Sequence, residues 1–320
     1  MGIARGRYAP SPTGAIHLGN ARTALLAWLD ARAAGAAFVM RVEDLDHARV
    51  PADAEVRLLD DLRWLGLDWD EGPERGGSFG PYRQSERAGR YDEAIAGLLA
   101  SGRAFPCACS RADVARAARA PHAADEEGPR YRGTCRGLPA AEVAARAAAH
   151  GRAPAMRFDG RGDAFYFDDE LRGAVATGPG GIDDFVLRRA DGMAAYQLAV
   201  VVDDAAMGIT RVVRGDDLLG STPRQLALYA ALALAAPTFA HVPLVLAPGG
   251  ERLAKRTRPT SLADLRARGV APEAVVGALG ASAGLCARGD RPRAWDLVSG
   301  FSLARIERAP AVVDAAALTT

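Results

Sequence analysis

The chain has 320 residues, 49% hydrophobic and 25% charged, with a formal net charge of +1 at pH 7. That length supports two or three domains around sizeable cores, and the composition is that of an ordinary globular protein. Near-neutral charge excludes a global attraction for nucleic acid, so any RNA contact must come from local arginine clusters. No apolar run approaches the roughly 20 residues that span a bilayer. The start, "MGIARGRYAP", has neither the apolar core of a secretory signal nor the Ser/Thr of a myristoylation site. Four cysteines are no disulfide framework, and the expectation is a reduced, cytoplasmic protein without membrane attachment.

In chain order, "RGRY" reads as a short strand. A Pro/Ser/Gly turn follows, then a helix whose apolar positions Leu25, Leu26, Trp28 and Leu29 suit a 3.6-residue period, with Gly35 as its stop. "AAFVMRVEDLD" reads as a buried strand running into an acidic end. Strand, helix and strand within about 35 residues make a βαβ unit and predict a parallel sheet. Helices are expected over 52–65 and 85–101. From 106 to 190 the cysteines, an Ala/Arg-rich stretch and alternating segments such as "AMRFDG" and "AFYFDD" predict a small α+β insertion. The sheet is expected to resume in "AAYQLAVVVDDAAMGITRVVRG", followed by a helix at "TPRQLALYAALALA" and a strand at "HVPLVLA". "SLADLRARGVAPEAVVGALGASAG" reads as a pair of short helices, and 301–320 carries little signal. There is no internal repeat or low-complexity linker, and "ARAARAPHAADEEGPR" is the candidate mobile loop. The expected organisation is an α/β domain in two halves, 1–105 and 191–260, the insertion at 106–190, and a short helical region at 261–320.

Three constellations carry chemistry. "APSPTGAIHLGNAR" lies where a strand hands over to a helix at the carboxyl end of a parallel sheet, where doubly wound folds bind ligands. A helix N-terminus there favours anions. Gly14 and Gly19 let a phosphate approach the backbone, and His17 can donate to a phosphate oxygen, although taken alone it reads rather as a surface histidine. The second is "ERLAKRTRP". Lys255 is the only lysine among 40 Lys and Arg residues. Lysine is a compact charge on a flexible stem and arginine a planar fork. A site that follows one moving phosphate oxygen suits the first, and a solvated loop charge is the other reading. The third is Cys107 and Cys109 with Tyr131 and Cys135. Cys-x-Cys is not the common zinc spacing, so a metal site and three small buried thiols both fit. Cys286 reads as a small apolar packing residue.

"RYAPSPTGAIHLGNART" resembles the first motif of class I aminoacyl-tRNA synthetases of the glutamyl type, with His17-Leu18-Gly19-Asn20 at the "HIGH" tetrapeptide. The resemblance continues in order through "RVEDLD", "GPYRQSER", "VVDDAAMGITRVVRGDDLLGSTPRQ" and "HVPLVL". It reaches "RLAKR" in the place of the family's "KMSKS" loop and covers nearly the whole chain. It implies an α/β fold: a Rossmann-like catalytic domain with a parallel sheet, an inserted α+β zinc-bearing subdomain and a short C-terminal helical segment. The implied reaction is activation of an amino acid by ATP, with Mg²⁺ accompanying the nucleotide, and transfer to tRNA. Pro10, Thr13, Gly14, His17, Gly19, Asn20, Arg252, Leu253 and Lys255 fall at ATP-binding positions, with His17 and Lys255 catalytic. Arg252 replaces the loop's first lysine and Ala254 its serine, which implies weaker closure and slower turnover. Arg7, Ser11, Glu43, Tyr196 and Arg214 fall at the glutamate-binding positions. An arginine fork suits a carboxylate because it bonds both oxygens, and Glu43 suits an α-ammonium. Read alone, Glu43 is rather a capping or salt-bridging acid.

Shortened members of the family place one structural zinc ion on three cysteines and a tyrosine, which Cys107, Cys109, Tyr131 and Cys135 match, with His122 the alternative to Tyr131. Only 65 residues follow Lys255, and an anticodon-binding module of the usual about 100–150 residues is not expected. Such members load glutamate on queuosine, the modified base at the first anticodon position of tRNA(Asp). The implied partners are ATP, L-glutamate and that tRNA, and the protein is expected to be a monomer. Arg116, Arg119, Arg130, Arg132 and Arg136 read either as RNA-backbone contacts or as solvated helix faces. Other readings remain open: a glutamate-activating ligase with a different acceptor, a catalytically silent RNA-binding paralogue, and, from the HIGH-like turn alone, a general nucleotidylyltransferase.

Overall fold

The computed structural model describes residues 4–46, 50–117, 131–178, 181–246, 249, 260–313 and 318. It opens with β1 (Arg5–Tyr8), α1 (Leu18–Ala33) and β2 (Ala37–Met40). The two strands pair in parallel from Arg5↔Ala37 to Tyr8↔Met40. Leu25 through Leu29 of α1 are buried in succession, so the helix has no solvent-facing stripe there and is covered on more than one side. Gly35, at φ 62°, ends it in the left-handed region. Then come α2 (Ala54–Trp64), a 3₁₀ turn at Gln84–Glu86 and α3 (Ala88–Ala100). The helix expected over 85–101 is thus preceded by a tighter turn, in which Gln84 and Arg87 point into the core.

The next stretch holds β3 (Ala104–Cys107), α4 (Arg111–Ala117), α5 (Ala140–Ala148), β4 (Ala155–Phe158), β5 (Tyr166–Asp169), β6 (Gly173–Ala176) and β7 (Val186–Arg188). β3, β4 and β7 form an antiparallel sheet of their own, with a small separate core that includes Phe105, Val114, Tyr131 and Val143. The β5–β6 hairpin does not join it.

The chain returns through α6 (Tyr196–Ala206), β8 (Arg211–Gly215), α7 (Thr222–Ala231), β9 (Thr238–Val242) and β10 (Val245–Leu246). It continues with α8 (Leu262–Ala267), α9 (Pro272–Ala281) and β11 (Ala311–Val312). The run "YQLAVVVDDAA", expected as strand, is the helix α6. Leu198 to Asp204 are all buried, and a run without a polar face carries no period to tell a buried helix from a buried strand. Gly208, at φ 63°, makes the turn into β8. The strand expected at "HVPLVLA" is two: β9 starts earlier, and Pro243, with no N–H to donate, separates it from β10. β10 pairs in parallel with β11, inside a stretch with little sequence signal.

β8 and β9 run parallel, β5 adds in parallel beside β9, and the order is β6-β5-β9-β8. Thr210 N–H to Arg5 O (3.0 Å) sets β8 beside β1. Alternate residues of these strands enter opposite cores. Phe38, Met40, Val213 and Ala240 pack with α1 and α9, whereas Val39, Val212 and Phe239 pack with α3, α6 and α7. Both faces of the sheet are therefore covered, as parallel sheets require. No helix among the described residues is long and apolar enough to cross a membrane.

The second face is held by an ionic seam. Asp203 of α6 is wholly buried and accepts from Arg87 Nε (2.5 Å), Gln84 Nε2 (2.8 Å) and Tyr91 Oη (2.9 Å). Removing one partner of a buried ion pair strands the other. Asp203→Ala is expected to lower unfolding free energy by about 3–5 kcal/mol in urea titrations. A loss under about 1 kcal/mol would show that the seam does not secure α3 to α6.

Candidate active site

The turn between β1 and α1 is held open at the carboxyl end of the sheet. His17 is the extended N-cap residue of α1 and its side chain makes no cap bond. The first helical backbone bond runs from Ala21 N–H to His17 O at 2.9 Å, so the N–H groups of Leu18, Gly19 and Asn20 stand ahead of the ladder and favour an anion. Leu262 N–H donates to Ile16 O (2.8 Å), which braces the turn against the start of α8. Burial lowers the pKa of His17 against the opposing pull of Asp264. Its Nδ1 is buried with no partner among the described residues.

This turn forms one wall of a cavity of about 410 Å³. Arg7, Pro10, Ser11, Thr13, His17, Gly19, Asn20, Glu43, Tyr196 and Arg214 all line it. Residues scattered from position 7 to 214 are thus brought together. Gly14 is exposed and outside that lining. Arg252, Leu253 and Lys255 lie outside the described residues, as do Arg119, His122, Arg130 and the side chain of Arg116. A more open depression of about 540 Å³ at Arg63, Trp69 and Arg75 contains none of these groups.

The floor of the cavity is charged and its side chains are buried. Arg7, on β1, faces Asp204 of α6, with Nε 3.4 Å from Oδ1. Arg41, just after β2 and wholly buried, joins Asp204 Oδ1 (2.5 Å) to Glu43 Oε1 (3.0 Å). Burial raises the pKa of Glu43, and Arg41 and Arg7 oppose that rise without cancelling it. Burial pulls Asp204 the same way, but Arg41 and Arg7 win and hold its carboxyl below the usual range. Arg214, on β8, donates from Nε to His241 (3.0 Å) and from Nη2 to Thr222 Oγ1 (2.8 Å). Its Nη1 is buried with no hydrogen-bond partner among the described residues. The cavity therefore offers guanidinium donors and a carboxylate to one small ligand, beside a helix N-terminus.

Asp217, Leu218, Leu244 and Val245 are also among the lining, and the sequence reading assigns them no role although they lie within its motif stretches. Asp204 and His241 lie inside the quoted motif stretches, but the sequence reading gives neither a role. For Asp204 a signal exists in "AVVVDDAA": two carboxylates inside an apolar run mark burial, and buried carboxylates need cations.

A second cluster lies in the small core beside β3. The sulfurs of Cys107, Cys109 and Cys135 are all within 4.8 Å of one another. Cys109 Sγ and Cys135 Sγ are 3.7 Å apart, and Tyr131 Oη is 3.4 Å from Cys107 Sγ and 3.9 Å from Cys109 Sγ. A tetrahedral zinc with Zn–S near 2.3 Å separates its sulfurs by roughly 3.8 Å, so the set fits that ion. Arg157 Nε reaches Cys107 Sγ (3.3 Å), and its guanidinium lies 4.0 Å from the Tyr131 ring centroid, which sets a cation beside the cluster. Arg132 is exposed, whereas Arg136 is tied to Asp184, with Nε 3.1 Å from Oδ2. Cys286 is half-buried against the α1–α9 core and donates to Gly277 O at 3.4 Å.

A protein-family model for the catalytic domain of class I tRNA synthetases (E and Q) matches residues 4–290. The glutamyl-Q tRNA(Asp) synthetase of Symbiobacterium thermophilum is 53% identical over 310 residues, 97% of this chain and 96% of that protein. That of Nitratidesulfovibrio vulgaris is 50% identical over 284 residues, 88% and 86% of the two chains. The crystal structure of glutamate-tRNA synthetase from Elizabethkingia anophelis superposes with a TM-score of 0.84 at 29% identity, covering 98% of this chain and 69% of that one. The matched model, the sheet buried on both faces and the open turn before α1 agree: the chain belongs to the class I tRNA synthetases of the glutamyl and glutaminyl type.

Proposed function

We propose that the chain activates L-glutamate with ATP and transfers the glutamyl group to queuosine at the first anticodon position of tRNA(Asp). The observation that carries the amino acid is the charge layout of the cavity, where Arg7 and Arg214 share one space with Glu43 at the head of α1. A dicarboxylic amino acid presents the complementary charges. The acceptor is supported by the glutamyl-Q tRNA(Asp) synthetases that share at least half their residues with the chain along most of their length.

In this reading Arg7 and Arg214 take the side-chain carboxylate and Glu43 the α-ammonium, with Ser11 and Tyr196 completing the pocket. ATP lies along Pro10, Thr13, Gly14, Gly19 and Asn20, its phosphates at the N-terminus of α1, where His17 donates to them. Arg252, Leu253 and Lys255 approach the same phosphates. The α-carboxylate attacks the α-phosphorus in line, the bond to the bridging oxygen breaks, and pyrophosphate leaves. An acceptor hydroxyl then attacks the acyl carbon and AMP departs. The chain's part is to position the reactants and meet developing charge with fixed donors. Mg²⁺ bound with ATP neutralises phosphate charge. Residues 1–105 and 191–260 supply the catalytic halves, and 106–190 faces the acceptor except for the β5–β6 hairpin. The start of α8 braces the first turn through Leu262. Cys107, Cys109, Cys135 and Tyr131 hold one structural zinc ion, and the protein acts as a cytoplasmic monomer.

Three outcomes are expected. Radiolabelled glutamate, with ATP and Mg²⁺, should label tRNA(Asp) in total tRNA from queuosine-making cells and nothing in tRNA from cells that cannot make it. Label on tRNA(Glu) in both pools would sink the acceptor assignment, and label on another molecule would identify a different ligase. Lys255→Met should lose on the order of 10²–10³ in glutamate-dependent ATP–pyrophosphate exchange while still binding glutamate. Wild-type exchange in that variant would remove Lys255 from catalysis. Elemental analysis should find about one zinc per chain, lost in Cys107→Ser together with thermal stability. A fully stable zinc-free preparation would dismiss the metal.

A further inference from the structure

The two arginines of the cavity are held in chemically different ways. Arg7 faces a carboxylate, Asp204, at 3.4 Å. Arg214 has no ion-pair partner among the described residues. Its Nε donates to the imidazole of His241 and its Nη2 to the hydroxyl of Thr222. His241, on β9, is wholly buried, and its Nδ1 lies 2.6 Å from Asp169 Oδ2. Asp169, the last residue of β5, also accepts the backbone N–H groups of Leu171, Arg172 and His241.

These contacts fix the proton on the ring. Burial would raise the pKa of Asp169, but His241 and the N–H groups hold it below the usual range. An ionised carboxylate at 2.6 Å needs a donor, so Nδ1 carries the hydrogen. The Nε of an arginine can only donate, so Nε2 must offer its lone pair. A second proton on the ring would set two donors and two cations against each other. Burial and Arg214 lower the pKa of His241, against the pull of Asp169 and Asp216.

We propose that His241 is a positioning residue for glutamate recognition: a neutral acceptor, oriented by Asp169, that aims the Arg214 fork into the cavity without cancelling its charge. This rests on the reading that the cavity binds glutamate. A carboxylate in place of the imidazole would turn the fork equally well, but it would neutralise the guanidinium and compete with the ligand for it. The ring sets the Asp169 charge one imidazole further away. Arg214 Nη1, a buried donor with no hydrogen-bond partner among the described residues, is what this arrangement keeps free for an anionic ligand.

The test is ATP–pyrophosphate exchange with KM measured separately for glutamate and for ATP. Glutamate-independent behaviour of the wild type would sink the reading of the cavity itself, and it is measured first. His241→Asn keeps a donor toward Asp169 and has nothing at the Nε2 position, whereas His241→Gln carries an amide oxygen there. In His241→Asn, KM for glutamate should rise about tenfold to hundredfold, the worth of one hydrogen bond to a charged group, with KM for ATP within about twofold. His241→Gln should stay within about threefold of wild type for both. Unchanged KM for glutamate in folded His241→Asn overturns the proposal. So does a tenfold rise in His241→Gln, or a parallel rise for glutamate and ATP. If His241→Asn does not fold, Asp169→Asn, which keeps the shape and frees the tautomer, is read by the same KM split.

Discussion

The cavity depends on the guanidinium of Arg41. It lies wholly buried at the end of β2, with Asp204 at 2.5 Å, Glu43 at 3.0 Å and Asp203 at 3.9 Å. An isolated charge there would cost several kcal/mol. It is tolerable because Arg7, Arg41 and Arg87 meet Glu43, Asp203 and Asp204, three cations against three anions, with Gln84 and Tyr91 filling acceptor sites on Asp203. Because the members come from β1, the end of β2, the turn before α3, and α6, the cluster also fixes how those elements sit against one another.

That balance has a consequence for ligand recognition. The two carboxylates of α6 are committed to arginines, and Glu43 is shared with Arg41, so the floor has little net charge of its own. Arg214 stands outside the cluster, held by an imidazole and a hydroxyl. The positive end of the cavity thus comes mainly from one oriented fork, and the helix N-terminus of α1 adds a second, weaker attraction for anions. Burial of Arg7, Arg41, Asp204 and Arg214 strengthens both, because charges inside a protein are screened less than in bulk water.

The stretch between β3 and β7 serves two structures at once. β3, β4 and β7 carry the cysteine and tyrosine cluster in a small separate core. The β5–β6 hairpin leaves that core and extends the main parallel sheet beside β9, where Asp169 reaches His241. The same stretch that carries the sulfur cluster therefore also supports the cavity wall.

The sequence by itself determined what local pattern and motif order can carry. The βαβ start, the helix stop at Gly35, the short helices after 261 and the in-order synthetase motifs were legible because each depends on neighbours a few residues apart. So were Arg7, Glu43, Tyr196 and Arg214 as candidates, through their places in those motifs. Only the tertiary structure decided that "YQLAVVVDDAA" is a helix, since a run buried on every side has no polar face to report its period. It alone split β9 from β10 at Pro243, found β11 as the partner of β10, and drew β5 into the main sheet, because strand pairing is settled by distant residues. It alone set Arg41, Asp204, Asp169 and His241 against the candidate ligand-binding residues. Their role lies in which charge faces which, and that is fixed only when segments as far apart as positions 41 and 204, or 169 and 241, share one buried interior.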